Sequence, residues 1–359
     1  MSSTTSSERP RNGRVPLSRF ALLALTLPLA ACNAVVMKPS GDIAAQQADL
    51  IVVSTLLMLL IIVPVIALTL WFAWRYRQSN TSVPYEPEWD HSTRLELIIW
   101  GAPLLIIIAL GALTWISTHK LDPYRPLDRI SDTKPLAAEV KPLIVEVVAL
   151  DWKWLFVYPE QGVATVNELA APVDRPIQFK ITASTVMNSF YVPALAGQIY
   201  AMPGMQTQLH AVINKEGVYD GFSANYSGDG FSHMRFKFHG LSEDGFARWV
   251  ASAKTEGQVL TRAEYLKLEQ PSKRDPVRRY AGVDAGLFDA VLNRCVESGK
   301  MCMGQMMAID AAGGGGKGGV DGLSVLRWRD GERPVVAALC TPENAAQFMA
   351  APAAPTEQR

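Results

Sequence analysis

Two uncharged runs decide what this chain can become. Leu50 to Trp74 (LIVVSTLLMLLIIVPVIALTLWFAW) and Leu97 to Thr118 (LIIWGAPLLIIIALGALTWIST) contain no Asp, Glu, Lys or Arg. At 1.5 Å per residue, each is long enough as a helix to cross a hydrocarbon layer of about 30 Å. Within that layer every backbone N–H and C=O needs a partner in the protein, and a helix supplies one locally. Pro64 falls inside the first run, where a kink is tolerable in a bundle. Trp71, Trp74, Trp100 and Trp115 lie toward the run ends, as amphipathic rings do at a membrane surface. The sequence therefore predicts a membrane α-helical hairpin, with transmembrane helices over 50–74 and 95–118.

The segment before these runs reads as an export signal. Arg9, Arg11, Arg14 and Arg19 form a positive region ahead of the apolar stretch Phe20 to Ala31, which is too short to span a bilayer. The stretch ends in Leu29-Ala30-Ala31-Cys32. Small residues before a cysteine resemble a bacterial lipobox, in which cleavage leaves a lipidated Cys32. The alternative is an ordinary signal peptide with an incidental cysteine. Residues 1–31 are thus expected to be a lipoprotein signal peptide and 32–49 an exported N-terminal segment. Arg75, Arg77 and Arg94 flank the loop 75–94 and mark it as cytoplasmic, because basic residues set membrane orientation. Glu86, Glu88 and Asp90 count little in that rule. The chain after His119 is then exported, beginning with a linker over 119–142. Lys and Arg total 34, as do Asp and Glu, so no net charge points to nucleic acid.

The exported half begins with strand signals. LIVEVVAL (143–150), PIQFKITA (176–183), QTQLHAVI (206–213) and MRFKFHG (234–240) are short runs separated by plausible turns at 159–162, 171–174 and 214–217. Regular short strands without intervening helix predict an all-β sandwich or barrel over 143–250. Residues 251–299 change character and are expected to form a small C-terminal helical appendix, with Asp284 a possible N-cap. The stretch AAGGGGKGG (311–319) has linker composition, and 300–359 is expected to be a flexible tail. Cys295, Cys302 and Cys340 lie in the exported half, where disulfides form. One bridge with one free thiol is the plain reading. A metal site from Cys295, Cys302 and the methionines of MCMGQMM is the other, and spacing does not decide the pairing.

GFSANYSGDGFSHM (221–234) poses a separate question. Gly, Ser, Asn and Asp crowd it as in loops held in one shape, which often carry a metal. Strong ligands are nearly absent, apart from His233 and the thioether of Met234.

Together these features resemble subunit II of the haem–copper respiratory oxidases, over roughly residues 40–290. The motif His91-Ser92-Thr93-Arg94-Leu95-Glu96, with Trp100 and Pro103, is similar to the family's entry into its second helix. Asp151-Trp152-Lys153-Trp154-Leu155-Phe156 resembles its aromatic stretch. Val186 to Pro193 and Gly221 to Met234 resemble the two stretches that hold a dinuclear copper centre in copper-bearing members. The resemblance implies a cupredoxin-like sandwich. It also places the copper ligands here. The histidine positions are Asn188 and Phe231, the cysteine positions Ser223 and Ser227, and the glutamate position Asn225. Only Met234 is retained. Serine hydroxyls do not replace bridging thiolates. The loss resembles the quinol oxidase branch, cytochrome bo type, whose donor is dissolved in the membrane.

That resemblance implies a function. The chain would be a non-catalytic subunit of a proton-pumping ubiquinol oxidase, without metal or cofactor of its own. Haems and copper would sit in the large subunit I. Subunits III and IV and membrane lipid would be its other partners, and ubiquinol would be met through the complex. Glu96 matches a glutamate that the family carries at the mouth of a proton channel. By itself it reads as a helix-start carboxylate. The chain would lie in a bacterial inner membrane with its C-terminal domain in the periplasm. The alternative is a cupredoxin-like membrane lipoprotein acting in binding or assembly outside an oxidase.

Overall fold

The computed structural model describes residues 34–84, 86–137 and 140–311. The signal segment, Cys32, Cys340 and most of the glycine-rich tail lie outside the described residues. Two helices, α1 (Asp42–Arg75) and α2 (Thr93–Lys120), carry the apolar runs, and both are long and apolar enough to cross a membrane. Their large side chains face outward, Leu70 and Trp100 among the most exposed. In water such faces would be untenable, so lipid or other helices must cover them.

Helix α1 starts at Asp42, within the segment expected only to be an exported lead-in. The additional turns pack on the exported domain, where Asp42, Ala44 and Ala48 are buried. Gly41 explains how the chain gets close enough. Its N–H donates to Ala194 O at 2.9 Å and it bridges to Ile213, while a Cβ there would sit 2.5 Å from Val212 O. Arg129 Nε donates to Asp42 Oδ2 at 3.0 Å and Gln46 Nε2 to the same oxygen at 2.7 Å.

The exported chain runs through β1 (Arg129–Ser131), β2 (Lys134–Pro135), β3 (Leu143–Leu150), β4 (Lys153–Tyr158), β5 (Val163–Val166), β6 (Glu168–Pro172) and β7 (Ile177–Ala183). It continues through β8 (Asn188–Tyr191), β9 (Ile199–Ala201), β10 (Thr207–Ala211), β11 (Gly217–Ser223), β12 (Arg235–Leu241), β13 (Gln258–Leu260) and β14 (Arg278–Val283). One sheet has the order β10-β7-β3-β4-β5-β14-β13, the facing sheet β6-β12-β11-β8-β9, and β1 pairs with β2 alone. The expected turn at 171–174 begins later. Residues 168–172 pair in parallel with β12, so the reversal falls at Val173 and Asp174, the latter at φ 57°.

The segment expected to be a small helical appendix also contributes strands. β14 pairs with β5, and β13 lies outside it, so the appendix extends the larger sheet. Its helices are α4 (Arg262–Glu269) and α5 (Leu287–Leu292), preceded by α3 (Glu243–Glu256), and a further helix, α6 (Met303–Ala311), stands in the segment expected to be a flexible tail, whose first residues are therefore ordered as helix. Ser242 caps α3 by accepting the Gly245 N–H, and Glu243 and Asp244 favour its first turn. Asp284 does not cap the helix after it. Its carboxylate accepts the Arg262 N–H at the start of α4, because the chain folds back there. Cys295 and Cys302 form a disulfide, their Cα atoms 4.8 Å apart, which takes both thiols out of any metal site.

The main core lies between the sheets and includes Val145, Phe156, Phe179, Phe190 and Phe238, with Phe246 and Trp249 of α3 at its margin. A second core covers the outer face of the larger sheet, where Leu150, Leu155 and Val157 meet Tyr265, Leu268, Phe288 and Val291. β4 is therefore buried at every residue. A strand covered on both faces reads as a continuous apolar run rather than an alternation.

Glu168 ties these layers together. Its carboxylate accepts from Arg279 Nε at 2.8 Å and Nη2 at 3.0 Å and lies 3.4 Å from His239 Nε2, while Arg279 also donates to Ser252 of α3. Burial pushes the carboxyl up, but hydrogen bonds from His239 and Arg279 outweigh it and hold the pKa at about 2, below its ordinary 4.5. A depressed carboxylate pKa stabilises the fold above the unfolded value and loses that stabilisation as pH falls toward the folded one. Glu168→Gln is therefore expected to lower stability by up to about 3 kcal/mol near neutrality. The gap to wild type should close between pH 4.5 and about 2, as followed by thermal melting of the detergent-solubilised chain. A gap that does not change with pH would contradict it.

Candidate functional site

The loop after β11 is hung between three strands. Phe222 and Ser223 pair with Tyr191 and Phe190 of β8, and β12 resumes after a 3-10 turn at Phe231–His233. Three glycines hold its shape, for different reasons. Gly228 needs its φ of 110°. Gly221 and Gly230 make room for rings. A Cβ would meet Phe236 Cε1 at 2.6 Å in the first case and Trp152 Cγ at 2.6 Å in the second. Trp152 lies over the loop and donates its indole N–H to Ser227 O at 2.9 Å. Trp154 points the other way, into the core, edge-on to Phe190 and Phe236.

The positions singled out from sequence fall into two groups. Asn188, Ser223, Asn225 and Met234 converge. Ser223 Oγ is 3.2 Å from both Asn188 Oδ1 and Asn225 O, and the Ser223 N–H donates to Met234 O at 3.1 Å. Asn188 Nδ2 donates to Val186 O, and Asn225 Nδ2 is 3.3 Å from Met187 O. Asn188, Ser223 and Met234 are almost fully buried. Ser227 and Phe231 lie on the outer turn. The Phe231 ring meets Tyr226 edge-on at 5.7 Å, and Ser227 Oγ is buried without a hydrogen-bond partner among the described residues. His233 stands beside them in the 3-10 turn, and its backbone N–H bonds Gly230 O. These donors do not suit a dinuclear copper centre. No thiolate or imidazole stands at a matching position, and the amide and hydroxyl groups already bond one another. The Met234 thioether belongs to the core.

Beside this loop lies an arrangement that sequence reasoning missed. Lys153 is 1% exposed, and its ammonium bonds Gln270 O at 2.9 Å, Ser272 Oγ and, at 3.3 Å, Asp275. Burial pushes the Lys153 pKa down against the pull of Asp275, which is the favoured partner for a buried charge. For Asp275, burial is overcome by Ser272, Lys153 and Arg278, which hold its pKa below the ordinary value. The charge alternation around DWKW points to no partner so far along the chain, and no signal in the sequence identifies this pair.

Glu96 lies far from this loop, in the first turn of α2. Its Oε1 is 2.8 Å from His91 Nδ1, and His91 Nε2 reaches Thr93 Oγ1 at 3.1 Å. Both side chains are more than half exposed. His91 belongs to the quoted motif but had no assigned role. Its spacing of five from Glu96 is not a helical one, and the loop brings them together.

Residues 143–239, which carry this loop, match the family model described as cytochrome c oxidase subunit II, periplasmic domain. Residues 254–299 match the COX aromatic rich motif. The chain is 50% identical over 276 residues to cytochrome bo(3) ubiquinol oxidase subunit 2 of Pseudomonas aeruginosa, covering 77% of this chain and 81% of that one. It is 49% identical to ubiquinol oxidase subunit 2 of Acetobacter aceti, with 77% and 87% covered. Quinol oxidase subunit 2 of Bacillus subtilis is 38% identical, with 72% and 79% covered. Among solved structures, the periplasmic domain of cytochrome oxidase subunit II from Bradyrhizobium japonicum aligns at TM-score 0.31 and 24% identity, covering 34% of this chain and 96% of that one.

The Trp152 lid gives a direct test of what shapes the loop. Gly230→Ala drives a methyl into the indole and is expected to destabilise the chain by about 1–3 kcal/mol. Trp152→Phe removes the bond to Ser227 O and should cost about 1–2 kcal/mol. Both are read as shifts in thermal unfolding, and an unchanged melting temperature for Gly230→Ala would show that the ring does not rest there.

Proposed function

The chain belongs to the subunit 2 family of quinol oxidases, with two membrane helices and a periplasmic cupredoxin-like domain, and from that premise we propose that it is the redox-inactive subunit II of a ubiquinol oxidase. The observation that carries the reading is the state of the former ligand positions. Ser223 Oγ reaches Asn188 Oδ1 and Asn225 O, and Phe231 packs on Tyr226, where an electron-entry centre would need thiolates and imidazoles. A water-soluble donor needs an exported centre of that kind. Ubiquinol dissolves in the bilayer and delivers electrons within it. The haems and copper are then carried by the large partner subunit I, and the sandwich acts in assembly and stability.

The firm seating of α1 on the sandwich supports that reading, because it lets a membrane hairpin present the exported domain at a set height. Subunits III and IV complete the proposed complex in a bacterial inner membrane. Lipid attachment at Cys32 adds an anchor to two helices that already hold the chain more firmly than acyl chains do.

Two measurements test the proposal. The purified complex is expected to oxidise ubiquinol and leave reduced cytochrome c untouched, and the isolated chain to give no mixed-valence dinuclear copper signal in electron paramagnetic resonance. Oxidation of cytochrome c, or such a signal, would overturn it.

Glu96 is proposed as the proton-collecting group on the cytoplasmic side. A carboxylate at a membrane helix boundary, exposed to water and hydrogen-bonded to an imidazole, is suited to take up a proton and pass it along water. Glu96→Ala is expected to slow oxygen reduction several-fold with haem content and assembly intact, and Glu96→Asp to keep part of the rate. Wild-type turnover of Glu96→Ala from about pH 6 to 9 would leave the residue a helix-start carboxylate only.

A further inference from the structure

The disulfide takes both thiols out of the MCMGQMM stretch but leaves its thioethers. Met301 is buried and packs with Ile309. The other three belong to α6, and positions 303, 306 and 307 share one helix face. Met306 is 41% exposed and Met307 65%. The start of α6 is pinned, because the Met303 N–H donates to Asn293 O at 2.9 Å and the Gly304 N–H to Asn293 Oδ1 at 3.3 Å.

That helix abuts a second source of thioethers. The turn Met202-Pro203-Gly204-Met205 lies between β9 and β10, closed by the Met205 N–H on Met202 O. Gly204, at φ 71°, leaves room for the end of Met303. A Cβ there would lie 3.3 Å from Met303 Sδ and 2.5 Å from its methyl carbon. Met303 therefore reaches the backbone between Met202 and Met205, and Met205 is 55% exposed.

We propose that Met205, Met303, Met306 and Met307 form a binding site for a single soft monovalent metal ion, chemically Cu(I), on the exported domain. Neutral thioethers select soft monovalent ions and bind hard or borderline divalent ones poorly. Among the described residues no three His, Cys, Asp or Glu side chains are grouped to hold a metal, so nothing in the described fold competes with the sulfur set for a harder ion. Unbranched thioether arms on a pinned helix can close around an ion without moving the backbone. Binding is coordination only, with no bond broken and no electron transferred. This site is independent of the quinol oxidase reading and distinct from the loop at 221–234.

The test uses the full-length chain in detergent, titrated with Ag(I) alone and, anaerobically, with Cu(I) in competition with a chromophoric Cu(I) chelator. One ion per chain is expected. Met306→Leu/Met307→Leu keeps volume and apolarity while removing two sulfurs, and should weaken binding roughly tenfold or more. Met58→Leu on α1 should not. In wild-type chain carrying 13C-methyl methionine, Ag(I) should shift the resonances of Met205, Met303, Met306 and Met307 and leave Met234 in place. Binding that is absent, that survives the double substitution, or that shifts other methionines instead would overturn the site. The labelled wild type decides the matter even where the leucine variant unfolds.

Discussion

The exported fold depends on one strand pair being covered on both sides. β3 and β4 lie at the centre of the larger sheet, with the sandwich core on one face and the C-terminal segment on the other. The buried Lys153–Asp275 pair fastens that segment, and beside it the Ser272 N–H donates to Asp151 O while the Trp152 N–H donates to Ser272 O. A charge buried this deeply is tolerable only with its partner present, so losing either member leaves an uncompensated ion in the protein. The adjacent residue, Trp152, is the one that covers the loop at 221–234, and the C-terminal segment thereby helps hold that loop although it lies far from it in sequence.

A loop of this composition without strong metal ligands must bond its backbone and polar side chains within the protein. Here the partners are local. Ser223 Oγ reaches Asn188 Oδ1 and Asn225 O, the two asparagine amides bond Val186 O and Met187 O, Phe231 rests on Tyr226, and the Trp152 indole caps Ser227 O. Buried polar groups left unpaired would each cost on the order of 1–3 kcal/mol, which is reason enough for asparagine and serine to find partners nearby. Gly221 and Gly230 serve as platforms for Phe236 and Trp152, so the loop's shape comes from ring packing as much as from backbone angles.

Helix α1 joins the apolar hairpin directly to the sandwich. Its first turns are buried on the sandwich, with Gly41 at van der Waals limits and Asp42 held by Arg129 and Gln46. A helix rooted in this way transmits the position of the exported domain to the hairpin, whose outward apolar side chains await lipid or partner helices.

The sequence by itself determined the hairpin, the sandwich and which residue types stand in the loop at 221–234. Uncharged runs of 22 residues or more leave few physical choices, LIVEVVAL forms a strand with the bounds its pattern predicts, and Asn, Ser and Phe cannot act as thiolate or imidazole. Every arrangement made by long-range contact was left to the tertiary structure. The sequence did not show that residues 278–283 would join the sheet, that Lys153 would meet Asp275, that Cys295 would choose Cys302, or that Met303 would reach the turn at 202–205. Periodicity reports which faces are apolar within one element, whereas partners from distant segments are chosen by the shape and charge of surfaces that exist only once the chain has folded. For that reason the stretch 151–156 read only as an aromatic motif, and the structure alone showed β4 to be a strand covered on both faces.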